Sequence, residues 1–134
     1  MEKASRALSS ARLLLGDGDA EGACNRAYYA MFDAAHAALL GSGALINAAE
    51  TRTHGGLIGA FGRHLVKTGR ASRELGRVLN EVEGVRRLAD YTGEKIDHAK
   101  AEWTVVQAAG FVEAMKTQFM PVSGANDSTR KADP

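Results

Sequence analysis

The sequence has little proline, little cysteine and no excess of charge of one sign. Its 134 residues contain two prolines, Pro121 and Pro134, and both lie near the C-terminal end. Proline is the residue that most strongly interrupts a helix, so no such interruption occurs before residue 121. The only cysteine, Cys24, has no partner for an internal disulfide, which favours a reducing compartment, and we expect the cytoplasm.

The charge balance and the absence of long apolar runs exclude several classes of protein. Seventeen Lys and Arg against sixteen Asp and Glu give a net charge of +1. This balance excludes a histone-like polycation, an acidic tail and a chain that self-repulsion keeps unfolded. No run approaches the roughly 20 apolar residues of a membrane span, and the N-terminal residues lack the apolar stretch of a signal peptide. We therefore expect a single domain without a membrane segment.

Apolar residues recur with helical spacing in five segments, which cover about residues 2–15, 19–40, 51–67, 71–89 and 94–120. In the last of these the spacing is typical of a helix that buries one stripe: Ala101, Val105, Ala108, Val112, Met115 and Phe119. Short connections without a strand signal predict an all-α fold, an antiparallel bundle of four to five helices over residues 1–120. Residues 121–134 offer too little apolar surface to offset the entropy of ordering, so we expect a disordered tail.

The second segment is the most apolar of the five. Tyr28, Phe32, Ala35 and Leu39 fall on one predicted face. Beside that face the spacing gives a strip of small residues that permits close approach of another helix: Ala23, Ala27, Ala34 and Ala38. Such a helix lies at the centre of a bundle or at a subunit contact, and we expect a homodimer.

Two further features of the pattern are local. The third segment contains four glycines, at positions 55, 56, 59 and 62, each of which costs a helix about 1 kcal/mol relative to alanine. We therefore predict a helix over residues 51–67 with a frayed first turn. Residues 90–93 are predicted to form a turn.

Residues that could hold a metal or act as a nucleophile are sparse. The four histidines, at positions 36, 54, 64 and 98, include no pair four residues apart, and neither HExxH nor CxxC occurs. We therefore expect no metal and no cofactor. Cys24 lies in an apolar segment, where a thiol is usually an inert small apolar side chain.

Two polar patterns each have two interpretations. Asn25, Tyr29 and His36 form a stripe that is either a satisfied hydrogen-bond network or a cleft for a nucleotide or phosphate. The stretch from Arg63 to Arg77 carries five basic residues and one acid, and it is either a solvated helix face or a track for a phosphate backbone.

Three motifs resemble those of a known family. NRAYYAMFDAA, at residues 25–35, resembles the central-helix signature of HEPN-domain proteins, in particular their small stand-alone bacterial and archaeal branch. THGGLIGAF at residues 53–61, followed by HLVKTG at 64–69, is similar to the third-helix motif of that branch. RRLADY at residues 86–91 is similar to the end of its fourth helix. The motifs occur in the family's order, and the resemblance covers about residues 1–120.

The resemblance implies a helical bundle that commonly dimerises and that acts in RNA processing, nucleotide binding or toxin–antitoxin defence. It also implies a frequent partner, a minimal nucleotidyltransferase. Many HEPN proteins are metal-independent ribonucleases, with an arginine and a histidine separated by only a few residues near a helix end. Here nine residues separate Arg26 from His36, and ten separate Arg87 from His98, so the usual pair is not found.

The matched motifs supply the candidate site. Arg26 and His54 are the candidate catalytic residues, since metal-free RNA cleavage needs a cation for the phosphorane-like charge and groups that move protons. The candidate nucleotide- or RNA-binding residues are Asn25, Tyr29, Asp90 and Tyr91. Two functions stay open: a metal-independent ribonuclease of a toxin–antitoxin or RNA-associated system, and a non-catalytic nucleotide-binding module that partners a minimal nucleotidyltransferase.

Overall fold

Five α-helices build the part of the protein that the structure describes. The computed structural model describes residues 1–93 and 95–120, and these contain helices and connecting segments without a strand. The helices are α1 (Glu2–Gly16), α2 (Ala20–Gly41), α3 (His54–Phe61), α4 (Arg73–Thr92) and α5 (His98–Phe119). A 3₁₀ turn over Ala48–Thr51 precedes α3, and a π-helical turn over Gly62–Val66 follows it. The predicted all-α bundle is confirmed, and the tail predicted at residues 121–134 lies outside the described residues.

Helix α2 is the central element of the bundle. It begins where Asp19 accepts a hydrogen bond from the backbone N–H of Gly22 at 2.9 Å, and it contacts each of the other four helices. The predicted small-residue strip is fully buried within the single chain: Ala23, Ala27, Ala34 and Ala38. The apolar side chains on most faces of α2 are therefore explained by packing inside one chain. They do not by themselves require a dimer.

Helix α5 buries the stripe that its spacing predicts. All six residues of that stripe are buried, and Phe111 joins them against Phe61 with ring centroids 5.6 Å apart. The helix begins at His98 rather than at residue 94, because Asp97 accepts a hydrogen bond from the backbone N–H of Lys100 at 2.8 Å and caps it. None of the helices in the described part of the chain combines the length and apolar character that crossing a bilayer demands.

Helix α4 continues through the residues that were predicted to form a turn. It ends at Thr92, and Gly93 closes it in the left-handed conformation with φ of 71°, its N–H donating to the carbonyl of Ala89 at 3.0 Å. The predicted turn over residues 90–93 is wrong, because one glycine after Thr92 is sufficient to end the helix. The additional turn places Asp90 four residues after Arg86 on the same side of α4.

The third predicted helix starts later than predicted and is not α-helical throughout. The 3₁₀ turn is closed by Asn47 and Glu50, which form a reciprocal capping box. Helix α3 has only eight residues, and Thr53 caps it by accepting from the backbone N–H of Gly56 at 2.9 Å. The helix predicted over 51–67 is therefore confirmed from His54 onward, as α3 continued by the π-helical turn, and it starts later than predicted because Thr53 is its N-cap. His54, the first residue of α3, is fixed against α2.

Candidate functional site

A polar cavity of about 690 Å³ opens between the first turns of α2 and the last turns of α4. Three sequence-predicted site residues, Asn25, Tyr29 and Asp90, line it together. Arg86, Cys24 and Ile96 are also part of its wall. The cavity thus combines an amide, a phenol and a guanidinium, which can bind a phosphate or nucleotide, with two carboxylates, those of Asp90 and Glu21.

Arg86 is held between two carboxylates of its own helix. Its Nη2 donates to Oε2 of Glu83 at 3.2 Å, and its Nη1 donates to Oδ2 of Asp90 at 2.9 Å. The side chains of Arg86 and Glu83 are 19% and 10% exposed, whereas that of Asp90 is 70% exposed. The inner carboxylate therefore fixes the guanidinium, and the outer one is free to move when an anion competes for it.

The arginine is not fully satisfied by these partners. Its Nε is buried and has no hydrogen-bond partner among the residues that the structure describes. Glu83 also faces Arg87, whose Nε lies 3.6 Å from Oε1 of Glu83. The cavity wall carries the guanidinium of Arg86 and the carboxylates of Asp90 and Glu21, so a phosphate that enters must displace Asp90 to reach Arg86.

Tyr28 connects this charged cluster to α3. Its side chain is fully buried, and the Cζ atom of Arg86 lies 4.8 Å from its ring centroid. Its hydroxyl shares a hydrogen bond with Nδ1 of His54. Burial raises the pKa of Tyr28 above its ordinary range, the charge of Glu83 adds to this shift, and Arg86 opposes it. The hydroxyl is therefore protonated at neutral pH.

His54 is half-buried among aromatic rings of α2. Its ring centroid lies 4.9 Å from that of Phe32, 5.2 Å from that of Tyr28 and 5.8 Å from that of Tyr29. Thr53 starts α3 immediately before it and so fixes its backbone. The imidazole is consequently held on three sides, while its Nδ1 is engaged by Tyr28.

The two candidate catalytic residues lie near the same tyrosine but do not contact each other through a hydrogen bond. The Cζ atom of Arg26 is 5.8 Å from the ring centroid of Tyr29, which also contacts His54. Neither Arg26 nor His54 lines the polar cavity, whereas Tyr29 does. Tyr29 therefore stands between the cavity and both candidates.

Tyr91 and His36 lie apart from the cavity. The side chain of Tyr91 is 91% exposed and shares a shallow surface depression with Leu88 and Arg87. His36 lines a different depression, beside Leu40 and Arg52. The polar stripe of α2 is therefore divided: Asn25 and Tyr29 belong to the cavity, and His36 does not.

Two of the five cations of the basic stretch, Arg63 and Arg77, pair with carboxylates, and Arg70 is held by a backbone carbonyl. Arg63 donates to Glu50 at 2.7 Å, Arg77 pairs with Glu74 and Glu81, and Arg70 donates to the carbonyl of Ser42 at 2.7 Å. These partners favour the interpretation of a solvated helix face over that of a continuous phosphate track. In the described part of the chain, no group of three or more His, Cys, Asp or Glu side chains is arranged to hold a metal ion.

Sequence reasoning missed Arg86, Glu83 and Tyr28 as site residues. The sequence pattern could have identified Arg86 and Glu83, but not Tyr28, since Glu83, Arg86 and Asp90 stand at the i, i+3 and i+7 positions of one helical face. The predicted turn at residue 90 concealed it, because a helix ending at residue 89 does not bring Asp90 under Arg86.

Comparison with known proteins places the chain in a family. A family model described as the HEPN domain matches residues 1–118. A "UPF0332 protein" of Thermotoga maritima is 34% identical over 117 residues, which are 85% of this chain and 83% of that protein. A protein of Methanocaldococcus jannaschii named "Putative toxin MJ0605" is 33% identical over 116 residues, which are 87% of this chain and 83% of that protein. No solved structure matches the chain. The match over almost the whole described bundle shows that the chain belongs to the HEPN-domain family.

Proposed function

We propose that this chain is a toxin-type HEPN protein that binds the phosphate of an RNA chain in the polar cavity and cleaves the RNA without a metal ion. The observation that carries the proposal is Arg86, a mostly buried cation at the wall of a polar cavity whose outer partner, Asp90, is exposed and displaceable. The relative from M. jannaschii supports a toxin-like role by its printed name.

The chemistry of metal-free RNA cleavage makes three demands. A base takes the proton of the ribose 2′-hydroxyl, a cation stabilises the charge on the phosphorane, and a donor assists the leaving oxygen. Arg86 supplies the cation, and the carboxylate of Asp90, once displaced from it, supplies a base at the cavity wall. Arg26 and His54 both contact Tyr29, so a nucleotide that contacts this ring is within reach of either side chain, and an N–H of one of them is the donor that assists the leaving 5′-oxygen as the P–O bond breaks.

A second function has its own support. Arg26 and His54 make no hydrogen bond with each other and lie outside the cavity wall, so a ligand held in the cavity does not require either of them. On this alternative the cavity holds a mononucleotide through Asn25, Tyr29 and Arg86, and the chain acts as a binding module that partners a minimal nucleotidyltransferase.

One experiment tests both functions. Purified protein is incubated with end-labelled RNA in excess chelator, and thermal stability is measured with and without a mononucleotide. The variants are Arg86→Ala, Arg26→Ala and His54→Ala. Arg77→Ala is the matched control, because Arg77 bridges carboxylates at i−3 and i+4 on the same helix just as Arg86 does, but on an exposed surface.

The proposal expects chelator-resistant cleavage that falls about a hundredfold in Arg86→Ala and stays unchanged in Arg77→Ala. Equal cleavage by wild type, Arg26→Ala and His54→Ala would remove the catalytic role of those two residues. Absence of cleavage together with a mononucleotide-induced thermal shift that Arg86→Ala abolishes would favour the binding module. Absence of both cleavage and shift would overturn both functions.

We also propose that the chain forms a homodimer and works in the cytoplasm with a minimal nucleotidyltransferase. Exposed apolar side chains support an interface on the outer face of α4, where Leu88 is 57% and Tyr91 is 91% exposed. Sedimentation that shows only monomer at micromolar concentration would contradict the dimer. Co-purification with the product of an adjacent nucleotidyltransferase reading frame is the measurement for the partner.

A further inference from the structure

The hydrogen bond between Tyr28 and His54 has a defined direction. Tyr28 is fully buried on α2, so water does not compete for its hydroxyl. A neutral imidazole carries one N–H, and the nitrogen that accepts a hydrogen bond is the one without the proton. The bond to Nδ1 therefore decides which nitrogen of His54 carries the proton, once it is known which partner donates.

The Tyr28 hydroxyl has a proton to donate, and its contact with Arg86 determines where that proton points. Burial and the Glu83 carboxylate raise the pKa of the Tyr28 hydroxyl, so it keeps its proton at neutral pH. The guanidinium of Arg86 covers Tyr28, with Cζ 4.8 Å from the ring centroid, and it acts electrostatically on the phenol oxygen. A cation attracts the lone pairs of a nearby hydroxyl oxygen and repels its hydrogen. The hydrogen of the Tyr28 hydroxyl therefore points away from Arg86 and toward Nδ1 of His54.

We propose that Tyr28 is a positioning residue that fixes His54 in the neutral tautomer with the proton on Nε2. The proposal rests on the proposed function only in giving His54 a role at the site. In this tautomer Nε2 is a hydrogen-bond donor and has no lone pair with which to take a proton. His54 then orients or stabilises a phosphate oxygen, and the base for the 2′-hydroxyl is a different group, for which Asp90 is placed.

The remaining surroundings of His54 agree with this assignment. Phe32 and Tyr29 contact its ring through their own rings, and no described residue hydrogen-bonds to its Nε2. The donor at Nε2 is therefore available to a ligand, while the acceptor at Nδ1 is consumed by Tyr28.

The test is nitrogen NMR of protein labelled with ¹⁵N-histidine, recorded near pH 8, where unperturbed histidine is mostly neutral. The spectrum of His54→Gln identifies the two His54 resonances by their loss. Tyr28→Phe removes the proposed donor, and Tyr29→Phe is the matched control, because Tyr29 also contacts the His54 ring but has no hydrogen bond to it.

We expect wild type and Tyr29→Phe to show a protonated Nε2 and an unprotonated Nδ1. In Tyr28→Phe the two resonances should move toward each other as the second tautomer becomes populated. A protonated Nδ1 in wild type would overturn the proposal, and so would identical His54 resonances in wild type and Tyr28→Phe. If Tyr28→Phe does not fold, the wild-type spectrum still decides the direction of the bond. Neither readout needs RNA or a nucleotide, so failure here is distinct from failure of the proposed function.

Discussion

The guanidinium of Arg86 lies 4.8 Å from the ring centroid of Tyr28, so the cation at the cavity wall also covers the buried phenol that bonds to His54. This contact brings α2, α3 and α4 together at one point. A substitution at Arg86 or at a residue that contacts it is expected to affect both the free energy of unfolding and ligand binding. The two effects are separated by measuring each of them with matched variants.

Glu83→Gln should lower the free energy of unfolding. Glu83 is 7% exposed and receives a hydrogen bond from Arg86, whose side chain is itself mostly buried. A neutral amide leaves the guanidinium without its inner counter-ion, so we expect a loss of about 1–3 kcal/mol in urea unfolding.

The control for this prediction is Glu74→Gln. Glu74 pairs with Arg77 on the same helix, but both side chains are exposed, at 64% and 59%. Exposed pairs contribute little, so the change should stay within about 0.5 kcal/mol. Equal losses of unfolding free energy in Glu83→Gln and Glu74→Gln would mean that burial does not strengthen the contribution of the Glu83–Arg86 ion pair to stability.

Two neighbouring glycines at the start of α3 should respond to alanine in opposite directions. A Cβ on Gly56 would lie 2.2 Å from the carbonyl oxygen of Glu50 and 2.8 Å from Oγ1 of Thr53, whereas a Cβ on Gly55 meets nothing within 4 Å. Gly56→Ala should therefore cost about 1–3 kcal/mol, because backbone must move. Gly55→Ala should gain up to about 1 kcal/mol from helix propensity. Thermal unfolding of the two variants measures the contrast, and a gain in Gly56→Ala would contradict the close approach of the 3₁₀ turn to α3.

Asp90→Asn should separate binding from cleavage. The carboxylate of Asp90 occupies Nη1 of Arg86 and is exposed, so an entering phosphate has to displace it. Removing its charge should tighten mononucleotide binding several-fold, corresponding to about 1 kcal/mol, as for an exposed ion pair. Cleavage should fall, because the proposed base is lost. Calorimetric titration with a mononucleotide measures the affinity, and the RNA assay measures the cleavage rate. Weaker mononucleotide binding by Asp90→Asn would contradict the proposal that a phosphate displaces Asp90 from Arg86.

Helical periodicity was enough to predict the bundle, because burial follows spacing. The stripe of α5 and the small-residue strip of α2 lie in the core as predicted. The predicted helix boundaries were wrong at the two positions where a single capping residue determines where the helix begins or ends. Gly93 ends α4 later than expected, and the Thr53 cap starts α3 a few residues later than the predicted start at residue 51. Such capping depends on local backbone geometry rather than on the apolar pattern.

The site was predictable only in part, for a related reason. The motifs of α2 and α4 supplied Asn25, Tyr29 and Asp90, and the structure brings these three to one cavity. The pairing of Tyr28 with His54 joins residues 26 positions apart through tertiary packing, which periodicity does not encode. Tyr28 also falls on the apolar face of α2, so its hydroxyl gave no sign in the sequence that it had a polar partner.

Stability should fall at alkaline pH because of Tyr28. Its pKa is raised in the folded protein, whereas in the unfolded chain it takes the ordinary value of about 10. Below that pH the tyrosine is neutral in both states, and its contribution to stability is fully present. As the pH rises above about 10, the unfolded chain releases this proton and the folded protein retains it, so the free energy of unfolding declines. Urea unfolding at pH 8, 9, 10 and about 11 should show a shallower decline in Tyr28→Phe than in wild type. Tyr29→Phe retains Tyr28 and should keep the wild-type slope, and an equally steep decline in Tyr28→Phe would show that another group is responsible.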